Sequence, residues 1–229
     1  NRRLRIFATT QIACSFVLLV GAGMLVATLN ALQTACTGYD LRQVLAIDVP
    51  PSATGVGGPA TLDFFQEATR RIGGLPGVQG VAAGMVVPWR DPGAGLKFRF
   101  AFEGYQPADG EENPTCRFRP VSPRFFAVLG VPILAGRDFT DEDRDGSELV
   151  AIVSQGVAQR VFPSGDAVNR HLWFSDRANP RPRRMVAIAA DVDDENVVQE
   201  PSLTVYYPLR QMGLPSRLFV RAAGDPYAL

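Results

Sequence analysis

An α+β domain behind one membrane-spanning helix is the fold class this sequence predicts, on three observations. From Ile6 to Tyr39 no Asp, Glu, Lys or Arg occurs, and Phe16 to Leu29 is apolar apart from two glycines and one threonine. Beyond Asp40, short β-rich runs separated by Pro/Gly loops outnumber the helical stretches. Two of those runs lead into amphipathic stretches, as the first half of a β-α-β unit does.

The apolar stretch comes first. At a rise of about 1.5 Å per residue, Ile6 to Leu29 reaches roughly 36 Å, enough to cross a hydrocarbon core of about 30 Å. Arg2, Arg3 and Arg5 precede it and the first charge after it is Asp40. The basic-flank rule therefore leaves residues 1–5 in the cytoplasm and puts the remainder outside, periplasmic or extracellular. The expected division is a flank over 1–5, a transmembrane helix and stalk over 6–33, and an external domain over 34–229. A buried helix of a soluble core is usually shorter and seldom uncharged for so long. A cleaved signal peptide shares the Arg-rich start and the small residues near Thr34-Ala35, but its apolar run is shorter. Gln33 stands where a lipoprotein processing site has an aliphatic residue, which argues against lipidation of Cys36. Gly21, Ala22, Gly23 and Ala27 offer a smooth patch to a second helix, and are equally ordinary in membrane helices.

Charge is balanced over the chain; without Arg2, Arg3 and Arg5 the 23 basic residues fall to 20 against 23 acidic, a net of −3. No basic surface for nucleic acid is implied. Lys97 is the sole lysine. Cys14 lies in the apolar stretch, so a disulfide could join only Cys36 and Cys116, and nothing in the sequence brings them together. The sequence starts without Met and stops at Leu229 with no obvious end, so it reads as a piece of something longer that continues into further membrane helices.

Past the membrane, Val44 to Val49 is a strand ending at Pro50-Pro51, and residues through Gly58 form a loop. Thr61 to Ile72 is an amphipathic helix with Leu62, Phe65, Thr69 and Ile72 on one face, closed by Gly73-Gly74. Val78 to Val87, Phe98 to Phe102 and Thr115 to Pro120 are strands, the first expected to pair in parallel with Val44–Val49 across the helix. Ser122-Pro123 is expected to cap a short helix over Arg124 to Leu129, stopped by Gly130. Ile133-Leu134 is extended. Leu149 to Ser154 is a buried strand leading into a helix over Gln155 to Phe162, with Val157, Ala158, Val161 and Phe162 inward. Leu172 to Phe174, Met185 to Val192, Leu203 to Tyr207 and Leu218 to Arg221 supply further strands.

Chemistry-bearing residues are sparse. His171, the single histidine, lies among strand-like residues and no G-x-S-x-G surrounds a serine, so it reads as a hydrogen-bonding residue at a strand edge rather than a catalytic base. The cysteines are too scattered for zinc. Asp141, Asp143, Asp145 and Gly146 reproduce the opening of a calcium loop, but its twelfth position is Ile152, where a bidentate Glu is needed, and a solvated acidic turn is the better reading. Asp191, Asp193, Asp194 and Glu195 form a second acidic loop. Gly55-Val56-Gly57-Gly58 sits between strand and helix as phosphate-binding glycines do, without G-x-G-x-x-G spacing or a Walker lysine. No catalytic, cofactor-binding or metal-ligating residue is assigned.

Several blocks together resemble the periplasmic core domain of MacB/FtsX-type ABC transporter permeases, most closely the large duplicated permeases of that group. The start, Arg2-Arg3-Leu4-Arg5 through Leu18-Leu19-Val20-Gly21-Ala22-Gly23, is similar to the helix that leads into the external domain, in its second copy. Phe64-Phe65 and Leu75-Pro76-Gly77-Val78 follow. The most specific block is Val121-Ser122-Pro123-Arg124-Phe125-Phe126-Ala127-Val128-Leu129-Gly130-Val131-Pro132, continuing through Leu134-Ala135-Gly136-Arg137-Asp138-Phe139-Thr140 to Asp143. Later signposts are Ile152-Val153-Ser154, Ala158-Gln159-Arg160-Val161-Phe162-Pro163, Val205-Tyr206-Tyr207-Pro208 and Val220-Arg221 with Gly224-Asp225-Pro226. Cys36-Thr37-Gly38-Tyr39 departs from the usual Asp-Pro-Gly-Phe, and Asn169 stands where Gly usually precedes the Arg.

The resemblance implies a non-catalytic permease domain of a bacterial inner membrane that couples ATP hydrolysis in the cytoplasm to movement outside, for efflux or extraction of a substrate. Its implied partners are membrane lipid, an ABC ATPase, a second permease copy or homodimer, and a periplasmic adaptor. Such coupling requires Asn30 to Gln33 to stay helical. Arg137-Asp138 is expected to be a turn ion pair and Phe125-Phe126 a core plug. The rival reading is a membrane-tethered sensor whose ligand pocket involves residues 50–58; an anchored hydrolase is disfavoured by the missing triad.

Overall fold

A computed structural model of the chain describes residues 2–34, 38–50, 59–88, 90, 95–163, 165, 167–176, 180–192, 203–213 and 217–228. Two compact units are present, Asn1–Cys36 and Thr37–Leu229. The first is α1 (Arg2–Thr34), helical through Asn30–Thr34 as well as through the apolar stretch. Within it Ile6–Asn30 has a mean hydropathy of 2.4 and is unburied, long and apolar enough to cross a membrane. The hydroxyls of Thr10 and Thr28 donate to the carbonyls of Ile6 and Met24 at 3.0 and 2.8 Å, so neither is left unsatisfied in an apolar surrounding.

The second unit runs β1 (Val44–Asp48), α2 (Pro59–Gly73), β2 (Val78–Gly84), β3 (Lys97–Phe102), β4 (Thr115–Val121), α3 (Phe125–Leu129), β5 (Ile133–Gly136), β6 (Val150–Ser154), α4 (Gln155–Val161), β7 (His171–Phe174), β8 (Arg183–Ala189), β9 (Thr204–Pro208), α5 (Leu209–Met212), β10 (Arg217–Ala222) and a 3-10 turn at Pro226–Ala228. α5 and that turn were not expected from the sequence, being too short to carry a periodicity.

Pro59 opens α2, where its missing N–H costs nothing, and Arg70 and Arg71 close it, where cations suit the helix dipole. Phe65, with Leu62 and Ile72 behind it, packs onto Val81, Ala83, Leu218 and Val220. Those last two belong to β10, which corrects the expected direct pairing of β1 with β2. β10 runs antiparallel between them, so the chain's final strand completes the surface that α2 covers. Being antiparallel to both neighbours, it leaves β1 and β2 parallel, as a crossover through α2 requires.

The remaining strands close on themselves. β4 pairs with β3 on one side and β9 on the other; β3 continues to β7, β7 to β8, β8 to β6, and β6 returns to β9. One buried cluster takes a side chain from every strand of this ring: Phe100, Phe118, Val205, Val153, Met185 and Leu172. The ring is therefore a filled barrel with no lumen. Aromatic rings crowd it, Phe174 stacking on Tyr207 and Phe118 lying 4.9 Å from the same ring. α4 closes one end with Val157, Val161 and Phe162.

Side chains of opposite parity, Val121, Ile152 and Tyr206, point outward and pack beneath α3 and β5 with Phe125, Phe126 and Phe139. The expected core plug is thus in place, Phe126 being 1% exposed. Asn169, at the position where the resembling family has Gly, adopts φ 73°. Asparagine is the side chain that best tolerates this left-handed backbone, so the departure changes little.

Gly136 and Gly146 both have left-handed φ, 83° and 82°, but a Cβ at Gly136 would run into the Val186 carbonyl oxygen, whereas Gly146 has open space around it. Gly136→Ala is expected to cost more than about 3 kcal/mol and Gly146→Ala about 1 kcal/mol. Thermal melting of the chain checks this, with losses near 10 °C and about 2–4 °C respectively; equal losses would contradict the close approach of β5 to β8.

Candidate functional site

Four polar contacts gather where the external chain comes in. Asp40 N donates to the Leu129 carbonyl at 2.9 Å. The Arg221 guanidinium, 14% exposed, donates from Nε to the Val128 carbonyl at 2.7 Å and from Nη2 to the Asp40 carbonyl. Its Nη1 reaches the Asp40 carboxylate at 3.4 Å. Val128 and Leu129 end α3, and their carbonyls have no partner within that helix, so Asp40 and Arg221 supply the bonds a helix end lacks. The little burial at Asp40 works against its charge, but the Arg42 N–H and the Arg221 charge together hold its carboxyl below the ordinary value.

This arrangement also joins the first strand to the last. Val44 pairs with Arg221 in the β1–β10 ladder, and Ala222 N donates to the Gln43 carbonyl at 2.9 Å. β1 and β10 thus lie side by side, with Tyr39 and Leu41 packed on the Phe125–Leu129 core. The sequence marks Arg221 as the end of a strand and as part of a family signpost, not as a junction. The available signal was a lone arginine near the end of the otherwise apolar run Leu218-Phe219-Val220.

The family-like block from Ser122 to Asp143 folds into a second polar knot. The expected cap of α3 by Ser122 does not form; its Oγ accepts the Ala83 N–H at 2.8 Å and its own N–H returns to the Ala83 carbonyl at 2.9 Å, which joins β2 to the end of β4. Arg124 takes the cap position instead, with φ 66°. Asp138 accepts the Phe139 N–H at 2.7 Å. Burial pushes the Asp138 carboxyl up, against that bond and the nearby Arg124 N–H, which both favour its charge.

Arg137 and Asp138 are not an ion pair. Arg137 forks instead onto Asp143, Nη1 and Nη2 lying 2.8 and 2.9 Å from its two carboxylate oxygens. Asp143 is 5% exposed and also accepts the Thr140 N–H at 2.8 Å. Burial works against its charge, yet the Arg137 fork and the Thr140 bond hold its carboxyl below the ordinary value. The alternating carboxylates of the calcium-like stretch therefore diverge. Asp143 turns in to Arg137, while Asp141, 83% exposed, faces Arg210 at 3.5 Å. Among the described residues no three His, Cys, Asp or Glu side chains converge on a metal position.

His171 opens β7, where its ring Nδ1 and its backbone N–H lie 2.8 and 3.0 Å from one Glu103 oxygen. β7 pairs on both sides, so this is not an edge strand. The His171 contacts, foremost the ring hydrogen bond, lower the Glu103 carboxyl. Cys116 is buried in the barrel and its thiol is pushed up to about 12 by burial; Cys36 lies outside the described residues. Asp191 accepts the Gly156 N–H at 2.8 Å and so caps α4. Asp193, Asp194, Glu195 and the glycines at 55, 57 and 58 lie outside the described residues. A groove of about 360 Å3 lies between α2 and β2, with Arg70, Arg124 and Arg210 on its rim.

Comparison with known proteins gives one family. Residues 12–225 match the family model described as MacB-like periplasmic core domain. The chain is similar in fold to the periplasmic region of MacB from Actinobacillus actinomycetemcomitans, at 12% identity over 85% of this chain and 80% of that one, with a TM-score of 0.53. It is similar also to the extracellular domain of the noncanonic ABC-type transporter YknZ from Gram-positive bacteria, at 14% identity over 79% and 84%, with a TM-score of 0.50. No curated protein matches the chain in sequence.

Asp143 supplies a pH test of the second knot. Its lowered carboxyl contributes stability that is present above the unfolded value of 3.8 and is lost as pH falls through the native value. Asp143→Asn is expected to cost about 1–3 kcal/mol at pH 7. The gap between parent and variant melting temperatures should narrow steadily as the pH drops below 3.8. A gap that stays constant into acid would show that the Arg137 fork contributes nothing.

Proposed function

Since this chain belongs to the family of MacB-like periplasmic core domains, we propose that it is the extracytoplasmic domain of an ABC transporter permease, coupling ATP hydrolysis in the cytoplasm to movement outside the membrane. In this reading residues 6–33 cross the bacterial inner membrane and continue as a stalk, residues 1–5 stay in the cytoplasm and the larger unit works outside. The observation that carries it is the junction at Arg221. A domain that passes on a movement needs its incoming chain fixed to its body, and here Asp40 is bonded at once to α3 and to the closing strand β10.

The filled barrel favours mechanical work over conduction, because Phe100, Phe118, Leu172 and Tyr207 occupy the space a passage would need. The domain itself is non-catalytic in this account, and efflux or extraction of a substrate is the outcome of the movement. The partners are an ABC ATPase, a second permease copy or a second copy of this chain, a periplasmic adaptor and membrane lipid.

Purifying the full-length gene product with its native partners tests this. An ABC ATPase is expected to come with it, and deleting residues 40–229 should change the rate of ATP hydrolysis severalfold. Arg221→Met should leave basal hydrolysis intact while abolishing its dependence on the external domain. Recovery of no ATPase, or a rate indifferent to the deletion, would contradict the coupling role and favour a tethered sensor.

A further inference from the structure

The groove between α2 and β2 has no part in the junction at Arg221. Its floor is apolar: Phe65, Val81, Ala83 and Leu209 are each no more than 4% exposed. At about 360 Å3 it suits a small molecule rather than a helix of a partner protein. Three arginines and one carboxylate, Asp141, stand around it. Two of the arginines are already engaged: Arg70 holds Glu67 at 2.7 and 2.8 Å, and Arg210 donates to the Asp141 carbonyl at 3.2 Å.

Arg124 differs. Its Nη2 reaches the Gln79 carbonyl at 3.5 Å, and among the described residues no carboxylate forms an ion pair with it. Its backbone is left-handed at φ 66°, a conformation that disfavours any side chain with a Cβ and that glycine would adopt freely. Strain kept at a non-glycine position points to a use for the side chain. The guanidinium lies beside Gly80 of β2, where even a Cβ would stand 3.7 Å from Nη2.

We propose that this groove binds a single-chain anionic amphiphile, its carboxylate forked by Arg124 and its hydrocarbon tail laid over Phe65, Val81 and Leu209. A guanidinium presents two parallel N–H donors that match a carboxylate, and one uncommitted cation matches one negative charge. The apolar floor accounts for the tail. Binding needs neither an ATPase nor a second chain.

The test is equilibrium binding of radiolabelled decanoate to the full chain in zwitterionic nanodiscs, with empty discs subtracted. Saturable one-to-one binding is expected, weakened by about tenfold or more in Arg124→Gln and for the neutral analogue decanol. Arg160→Gln, on α4 and outside the groove, should bind as the parent does. Arg124→Gly removes the side chain and relieves the left-handed backbone, so it is expected to melt no lower than the parent while losing binding. No saturable binding above empty discs, decanol bound as tightly as decanoate, or unchanged affinity in Arg124→Gln would overturn the proposal.

Discussion

Everything outside the barrel hangs on the Arg221 guanidinium. It lies where three segments distant in sequence meet: the incoming chain at Asp40, the end of α3 at Val128, and β10, which carries the arginine itself. Each segment has a backbone group that needs a partner, and one side chain with a fixed fork of donors serves two of them. Removing it would leave the carbonyl of buried Val128 short of a partner, at a cost of about 1–3 kcal/mol, and would release the Asp40 carbonyl. The consequence reaches further than stability. On the proposed coupling role, the fork would deliver a pull on the chain at Tyr39 to a helix and a strand of the core rather than let a linker absorb it.

The barrel and the β1–β10–β2 sheet divide the labour that such a pull requires. A close-packed interior resists deformation, and the barrel cluster is close-packed with aromatic rings. The β1–β10–β2 sheet meets the barrel where β2 pairs with β4 at Gly84 and Val121, and where Ser122 and Ala83 exchange hydrogen bonds. The block from Ser122 to Asp143 stands on that seam. Its residues hold one another: Asp138 accepts the Phe139 N–H, Arg137 binds Asp143, and Gly136 lets β5 approach β8.

Much of this was legible in the sequence, and the reasons are particular. The apolar run is uncharged for long enough to cross a membrane, and the strands and α2 announce themselves by alternation and by Leu62, Phe65 and Ile72. The short helix at Phe125 was found because Gly130 stops it. What stayed hidden was pairing across distance. Nothing local places β10 between β1 and β2, since that depends on Leu218 and Val220 completing a surface begun more than a hundred residues earlier. The partner of Arg137 was misread for a related reason: Asp138 is adjacent in sequence, but its carboxylate accepts the Phe139 N–H, leaving Asp143 for the fork. Arg221 looked like the end of a strand and proved to be the junction.

Native-state hydrogen exchange at the amide of Asp40 measures the junction most directly, because that N–H is bonded to the Leu129 carbonyl beside the Arg221 fork. A fixed junction predicts protection of Asp40 comparable to that of Val220 in the middle of β10, lost in Arg221→Met. Exchange at the rate of an unstructured linker in the parent chain would contradict it, and with it the claim that the incoming chain is rigidly joined to the domain.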